Sequence, residues 1–258
     1  MHLLVAYQDD PAGSNMANFI SKDMKKDGEI FRGKYFDLLV IPTPAISADW
    51  LEEKYSYDSF IFLSKHAAES GVLALTCHST GNFSDAKFGG KNRQVAIPHP
   101  QLQKSYLQKL WQQKNDFSEF QITIEATHHG PTNLNKPTIF IEIGTTEKQW
   151  NDISLCNRVA KNVVEVMKEE PTSQPVAICF GGTHYPDRFT KELLEGKFAL
   201  GTVIPKHALD FLDDELFSHI LERNSVAKTA LLDWTGLGQN KQKVVTLLEK
   251  TDLEVVRL

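Results

Sequence analysis

The stretch PVAICFGGTHYPDRFTKELLE, residues 175–195, decides how this chain folds. PVAICF (175–180) is apolar and β-rich without alternation, the pattern of a strand covered on both faces. Gly181 and Gly182 supply a turn, and residues 187–195 then read as a helix. A strand, a glycine turn and a helix in so short a span form the repeating unit of an α/β fold with a mostly parallel, helix-covered sheet.

The same alternation runs outward in both directions. Strands are expected at 2–7, 37–42, 59–64, 72–77, 121–127, 138–143, 175–180, 227–233 and 253–258, and helices at 101–114, 147–168, 187–195, 208–223 and 239–250. Within 147–168, Trp150, Ile153, Val159, Val163, Val166 and Met167 mark an apolar stripe, and Thr146 before Glu147 reads as a helix start. EEPTSQP (169–175) is too short to divide the chain, so residues 1–258 are expected to form one α/β domain. The Gly- and Lys-rich run at 81–100, GNFSDAKFGGKNRQVAIPHP, reads as an excursion from the sheet that serves a ligand.

With 258 residues the chain can bury a large core without disulfides or a structural metal. Cys77, Cys156 and Cys179 are odd in number and far apart, which points to reduced thiols and a cytoplasmic protein. No apolar run approaches a membrane span, so no membrane partner is expected. The net charge of −5 hides an asymmetry. Lys87, Lys91, Arg93, Lys104, Lys109 and Lys114 fall between residues 86 and 114 with no carboxylate among them, leaving −11 for the rest. One basic stretch on an acidic protein suits a polyanion bound at one place; a solvated loop and helix face explains the charge equally well.

The chemistry concentrates in histidines at strand ends. His66, His78, His128, His129 and His184 follow four different strands, and the carboxyl ends of strands in open α/β sheets form the ligand crevice. Imidazoles are common zinc ligands, and a zinc ion activates water near neutral pH. Adjacent residues on a strand point to opposite faces, so His128 and His129 can share a site only if the chain turns there, and Gly130-Pro131 supplies a turn. Glu125 and Glu142 interrupt apolar strands, where a carboxylate needs a partner. Each is a candidate general base, metal ligand or acceptor for a ligand histidine's second N–H, with an edge position or a salt bridge as the alternative. The turn at Gly181-Gly182 lets backbone approach an anion.

Six blocks carry a family resemblance: SKHAAESGVLALTCHSTGNF, FGGKNRQVAIPHP, IEATHHGPT, IEIGTTEKQW, CFGGTHYPDRFT and GTVIPKHAL, in order between about 62 and 209. The chain resembles the D-aminoacyl-tRNA deacylases of the archaeal and plant type. The resemblance implies a zinc-dependent esterase that frees a D-amino acid and tRNA from D-aminoacyl-tRNA, with one Zn2+ or two. It implies a three-layer sandwich with a mostly parallel or mixed central sheet, akin to the phosphorylase and peptidyl-tRNA hydrolase class. Its matching positions are His66, His78, His128, His129, His184, Glu125 and Glu142. We assign metal binding to His78, His128, His129 and His184. Catalysis falls to His128, His129, Glu125 and Glu142, and substrate contacts to His66, Gly181, Gly182, Lys87, Lys91 and Arg93. The Gly181-Gly182 amides would stabilise an oxyanion, and Phe83, Phe88 or Tyr106 would stack on a 3′ base. The expected partner is the acceptor end of D-aminoacyl-tRNA, bound by a monomer with no protein partner. Two other readings stay open: a nucleoside phosphorylase or zinc amidohydrolase on the same architecture, and a noncatalytic RNA-binding module. Against the last, structural zinc sites favour cysteines close in sequence.

Overall fold

The structure, a computed structural model, describes residues 1–68, 71–169 and 173–258. Its strands are β1 (His2–Tyr7), β2 (Lys25–Asp27), β3 (Ile30–Arg32), β4 (Phe36–Ile41), β5 (Ser59–Ala67), β6 (Ala74–His78), β7 (Gly81–Asn82), β8 (Gln94–Val95), β9 (Gln121–Ile124), β10 (Thr138–Thr145), β11 (Val176–Phe180), β12 (Ala199–Ile204), β13 (Thr229–Leu232) and β14 (Glu254–Arg257). Its α-helices are α1 (Pro11–Ser21), α2 (Leu51–Lys54), α3 (Pro100–Gln112), α4 (Glu147–Trp150), α5 (Ile153–Lys168), α6 (Asp187–Glu195), α7 (Asp214–Arg223) and α8 (Lys241–Leu248).

The fold is mixed α/β. An eight-stranded sheet runs β2-β3-β4-β1-β5-β10-β6-β9, and a four-stranded sheet runs β12-β11-β13-β14. The smaller sheet is parallel throughout. In the larger one β6 lies antiparallel to β10, so the sheet is mixed. One hydrophobic cluster joins Leu4, Leu63, Leu75 and Ile141 of the larger sheet to Ala177, Cys179, Val203 and Leu231 of the smaller. Among the described residues no helix is long and apolar enough to cross a membrane.

All nine expected strands form, β1 with the expected bounds and the other eight with shifted ends. Two expected helices are interrupted. The span 147–168 breaks at Asn151-Asp152, where the Asp152 carboxylate accepts the Leu155 amide and starts α5 afresh. Ile153, assigned to the apolar stripe, is therefore in the first turn and 55 % exposed, while Val159, Val163, Val166 and Met167 are buried. The span 208–223 is a 3-10 turn at Lys206–Phe211 followed by α7, which Asp213 caps through the Leu216 amide.

Strands β2, β3, β7, β8 and β12 and helices α1 and α2 lie outside the expected spans, and α1 and β12 among them are largely buried. Helix α1 follows Asp10, whose carboxylate caps Gly13, with Pro11 in the first turn. It lies directly on β5 at Gly13, where a Cβ would stand 2.4 Å from the Leu63 carbonyl oxygen. Strand β12 (ALGTVI) was lost among glycine and threonine and is fully buried.

Candidate active site

Strands β5, β10 and β6 lie side by side, and polar residues line one face of them. On β10, Glu142 is in register with Ser64 of β5 and Thr76 of β6. His66 ends β5 beside Gly144, and His78 ends β6 beside Phe140. Ile139, Ile141 and Ile143 alternate to the opposite face and join the main core. The period-two pattern that buries the isoleucines thus places Glu142 between His66 and His78.

The segment Glu125–His129 covers this row. Strand β9 stops at Ile124 because the chain leaves the larger sheet there. The Ala126 amide donates to the His184 carbonyl and the Thr127 amide to the Val203 carbonyl of β12. Val203 donates back to the Thr127 hydroxyl oxygen. The turn beyond is left-handed at His129, with φ of 43°, a conformation costly for a side chain other than glycine. That backbone puts both imidazoles on one side, their ring centroids 4.4 Å apart. His78 stands 4.2 Å from the His128 ring and 4.8 Å from the His129 ring, and Phe140 packs on the edge of His129.

Each of these three imidazoles has its Nδ1 against a backbone carbonyl: His78 to Ser79 O at 3.0 Å, His128 to Ala126 O at 2.9 Å, His129 to Gly130 O at 2.7 Å. A carbonyl only accepts, so each Nδ1 carries a hydrogen, and in the neutral ring Nε2 is then the atom that presents a lone pair. His78 Nε2 is buried with no hydrogen-bond partner among the described residues. Orphaned lone pairs of this kind fit a metal ion, and metal-bound histidines are commonly oriented by such second N–H contacts. One potential donor atom from each of His78, His128 and His129 falls within 4.8 Å of the others. The same holds for His66, Glu125 and His184, and for His78, Glu125 and Glu142.

The electrostatics agree with a cation site. Burial, together with the charge of His78, holds His128 well below the usual imidazole range and His129 at about 4, so both stay neutral. Burial also disfavours charge on His78, yet Glu142 and Glu125 lift it, and the field that favours a proton there favours a metal equally. His66 Nδ1 lies 3.1 Å from Glu125 Oε1 and 3.2 Å from Glu142 Oε2. Burial opposes its charge, but the two carboxylates raise it to about 10. Burial would likewise raise Glu125 and Glu142, and their histidine partners hold both in the ionised form. His66, held as an imidazolium, thus balances part of the charge of the two carboxylates.

His184, its side chain 43 % exposed, forms the rim, with Nε2 2.8 Å from Glu125 Oε2. It also lines a cavity of about 490 Å³ bounded by Gly182, Lys206, His207 and Gln239. The site is therefore a buried cluster of imidazoles and carboxylates with the more exposed His184 at its edge, beside the cavity.

A family model for D-aminoacyl-tRNA deacylase matches residues 53–256. The chain belongs to the D-aminoacyl-tRNA deacylase family. It is 57 % identical over 256 residues to the D-aminoacyl-tRNA deacylase of Cenarchaeum symbiosum, covering 99 % of each chain. It is 30 % identical over 269 residues to that of Archaeoglobus fulgidus, covering 100 % of this chain and 96 % of the relative. The solved structure of a conserved protein of unknown function superposes with a TM-score of 0.92 at 29 % identity, covering 100 % of this chain and 95 % of the other.

Set in this deacylase fold, the expected residues divide. His66, His78, His128, His129, His184, Glu125 and Glu142 converge. The oxyanion role expected of Gly181 fails, because its amide already donates to the Ile204 carbonyl at 2.8 Å; Gly182 lines the cavity beside His184. Arg93 makes a two-pronged ion pair with Asp213, at 2.7 and 2.8 Å. Phe83 and Tyr106 are buried in the core and cannot stack on a base. Nor do the six cations form one patch. Lys104 is buried under three carbonyls, Lys109 pairs with Glu165 and Glu169, and Lys114 sits over Trp111. Lys87 and Lys91 remain exposed, with no ion pair among the described residues.

One site residue was missed. The Tyr185 hydroxyl lies 2.5 Å from His66 Nε2, and burial beside Glu125 and Glu142 pushes its pKa up to about 12, so it keeps its proton. Its signal was its place directly after His184 in FGGTHY.

Proposed function

We propose that the protein hydrolyses the ester joining a D-amino acid to the 3′ end of tRNA, releasing the free D-amino acid and free tRNA, and so keeps D-amino acids out of translation. The observation that carries this reading is the convergence of three imidazoles, each with Nδ1 on a backbone carbonyl and Nε2 left for a ligand, beside two ionised buried carboxylates. Membership of the deacylase family supports it.

His78, His128 and His129 would hold a zinc ion, whose preference for nitrogen donors and three protein ligands matches this set. When bound, zinc supplies a Lewis acid that polarises the ester carbonyl and makes water acidic enough to react near neutral pH. The chain's own groups do the rest. The Glu125–His184 pair takes a proton from the attacking water as its oxygen bonds to the carbonyl carbon. The bond from that carbon to the ribose oxygen breaks, and His184, at the mouth, returns a proton to the ribose oxygen. His66, held by Glu125, Glu142 and Tyr185, fixes both carboxylates in place. The cavity beside His184 admits the substrate. Such an enzyme works in the cytoplasm, and as a monomer it needs no partner chain.

The test is hydrolysis of matched D- and L-aminoacyl-tRNA with and without a chelator. Fast release from the D form alone, lost on chelation and restored by zinc, is expected. Equal decay of both forms with and without protein overturns the reading.

A further inference from the structure

We infer that the Phe88 ring is a stacking platform for a base of the unpaired 3′ end of the tRNA, with Lys87 and Lys91 set against the neighbouring phosphates. This inference rests on the deacylase reading and concerns how that substrate is held.

Phe88 is an exposed ring on a closely hydrogen-bonded loop. Phe88 is 68 % exposed, the highest value for any large apolar side chain among the described residues. An exposed phenyl on a loose loop means little, but this loop is fixed at every turn. The Asn82 side-chain amide donates to the carbonyls of Gly89 and Lys91, and the Lys91 amide donates to the Thr132 hydroxyl oxygen. The Ala86 amide donates to the Asn92 side chain, and the Arg93 amide to the Ser84 carbonyl. Gly89 and Gly90 both hold positive φ, and a Cβ on Gly89 would stand 2.0 Å from the Ile46 carbonyl oxygen. Arg93 then ties the loop to Asp213.

The support also has an address. The Gly130 amide donates to the Phe88 carbonyl at 3.0 Å, so the platform residue is joined directly to the turn that orients His129. A group bound on Phe88 is thus registered against the catalytic imidazoles by a single hydrogen bond. Lys87 and Lys91 stand one residue before and three residues after Phe88 on this loop, are exposed and make no ion pair among the described residues. Asp85 is the one carboxylate on the same loop, so two cations outweigh one anion there.

An aromatic face between unpaired cations is the combination that binds single-stranded nucleic acid: bases stack without regard to identity, and cations meet the backbone. A deacylase that accepts many tRNAs needs this kind of contact, because it must hold the unpaired end without reading a particular anticodon or stem. Phe88 is a positioning residue; it does not reach the ester.

The test compares two substrates and two replacements. Phe88→Ala is expected to raise KM for D-aminoacyl-tRNA about 5- to 150-fold, the range a lost stacking contact gives, with kcat within about twofold. Phe88→Trp should keep KM near that of the parent enzyme. On D-aminoacyl-adenosine, which lacks the preceding nucleotides, parent and Phe88→Ala enzymes should be equal. Unchanged KM for tRNA in Phe88→Ala overturns the inference, and so does an equal loss on both substrates, which would mark a local disturbance of the His129 turn. If the parent enzyme cleaves neither substrate, the deacylase reading itself fails, a result distinct from either.

Discussion

His78 and His128 face each other with ring centroids 4.2 Å apart, although one ends β6 and the other follows β9. Both are locked by backbone carbonyls at Nδ1, and both offer Nε2 to the same small volume. His78 is fully buried, so it contributes nothing to substrate capture by contact and serves only through what its Nε2 holds. Replacing it with alanine should abolish tightly bound zinc, measured by elemental analysis. Turnover should fall by more than the roughly 100-fold that a supporting contact costs. Circular dichroism should remain that of the parent. A variant that keeps stoichiometric zinc removes His78 from the ligand set.

Gly130 is the joint between the histidine turn and the loop that carries Phe88. A Cβ there would stand 2.3 Å from the Gly90 nitrogen, 2.4 Å from the Ile46 carbonyl oxygen and 2.5 Å from the Gly89 carbonyl carbon. All three are backbone atoms, so no rotamer change relieves the clash and the chain itself must move. Gly130→Ala should therefore lose about 1–3 kcal/mol of stability in chemical denaturation. It should also lose zinc affinity, since His129 would be displaced. Unchanged zinc affinity would show that the turn can shift without moving the imidazole.

Acid sensitivity should come in part from outside the site. His99 precedes α3, and its ring centroid lies 5.9 Å from that of His2. Burial, with a contribution from His2, lowers its pKa from 6.5 to about 4. The unfolded chain takes up a proton below 6.5, and the folded one resists until about 4. Its contribution to stability is therefore whole above pH 6.5 and is lost as pH falls from 6.5 towards 4. Across that window it amounts to about 2–3 kcal/mol. Denaturation at pH 7 and pH 4.5, with chelator present in both, should show a smaller pH difference for His99→Gln than for the parent. Parallel losses in the two proteins would clear His99 of the effect.

Much of this was legible in the sequence, for a physical reason that also marks where legibility ended. Strands such as VLALTC and IFIEI announce themselves because local apolar patterning and sheet burial coincide. Glu125 and Glu142 stood out because a carboxylate inside such a run needs a partner, and each has one. Helix α1 did not stand out, because its contact with β5 demands glycine at position 13, a poor helix former, among serine and asparagine. The basic stretch misled for a related reason: charge is counted along the chain, but pairing is decided across it. Arg93 meets Asp213, and Lys109 meets Glu165, only after folding. Tyr185 contacts His66 across the same kind of distance in sequence.

Lys104 makes that last distinction measurable. Its ammonium nitrogen lies 2.8, 2.9 and 3.0 Å from the carbonyl oxygens of Leu193, Gly196 and Phe198, closing the carboxyl end of α6. Burial lowers its pKa, yet three acceptors hold it in place. Lys104→Met keeps the aliphatic stem and strands those carbonyls, so stability should fall by about 2–4 kcal/mol. Affinity for tRNA and its salt dependence should not change, because a cation beneath three carbonyls neutralises no phosphate. The double variant Lys87→Ala, Lys91→Ala should do the reverse. Its stability should match the parent's, and the slope of log affinity against log salt should shallow by roughly 0.7 per lysine removed, the increment for a single-stranded contact. If Lys104→Met shallows the slope and the double variant does not, the RNA lies on α3 instead of the Phe88 loop.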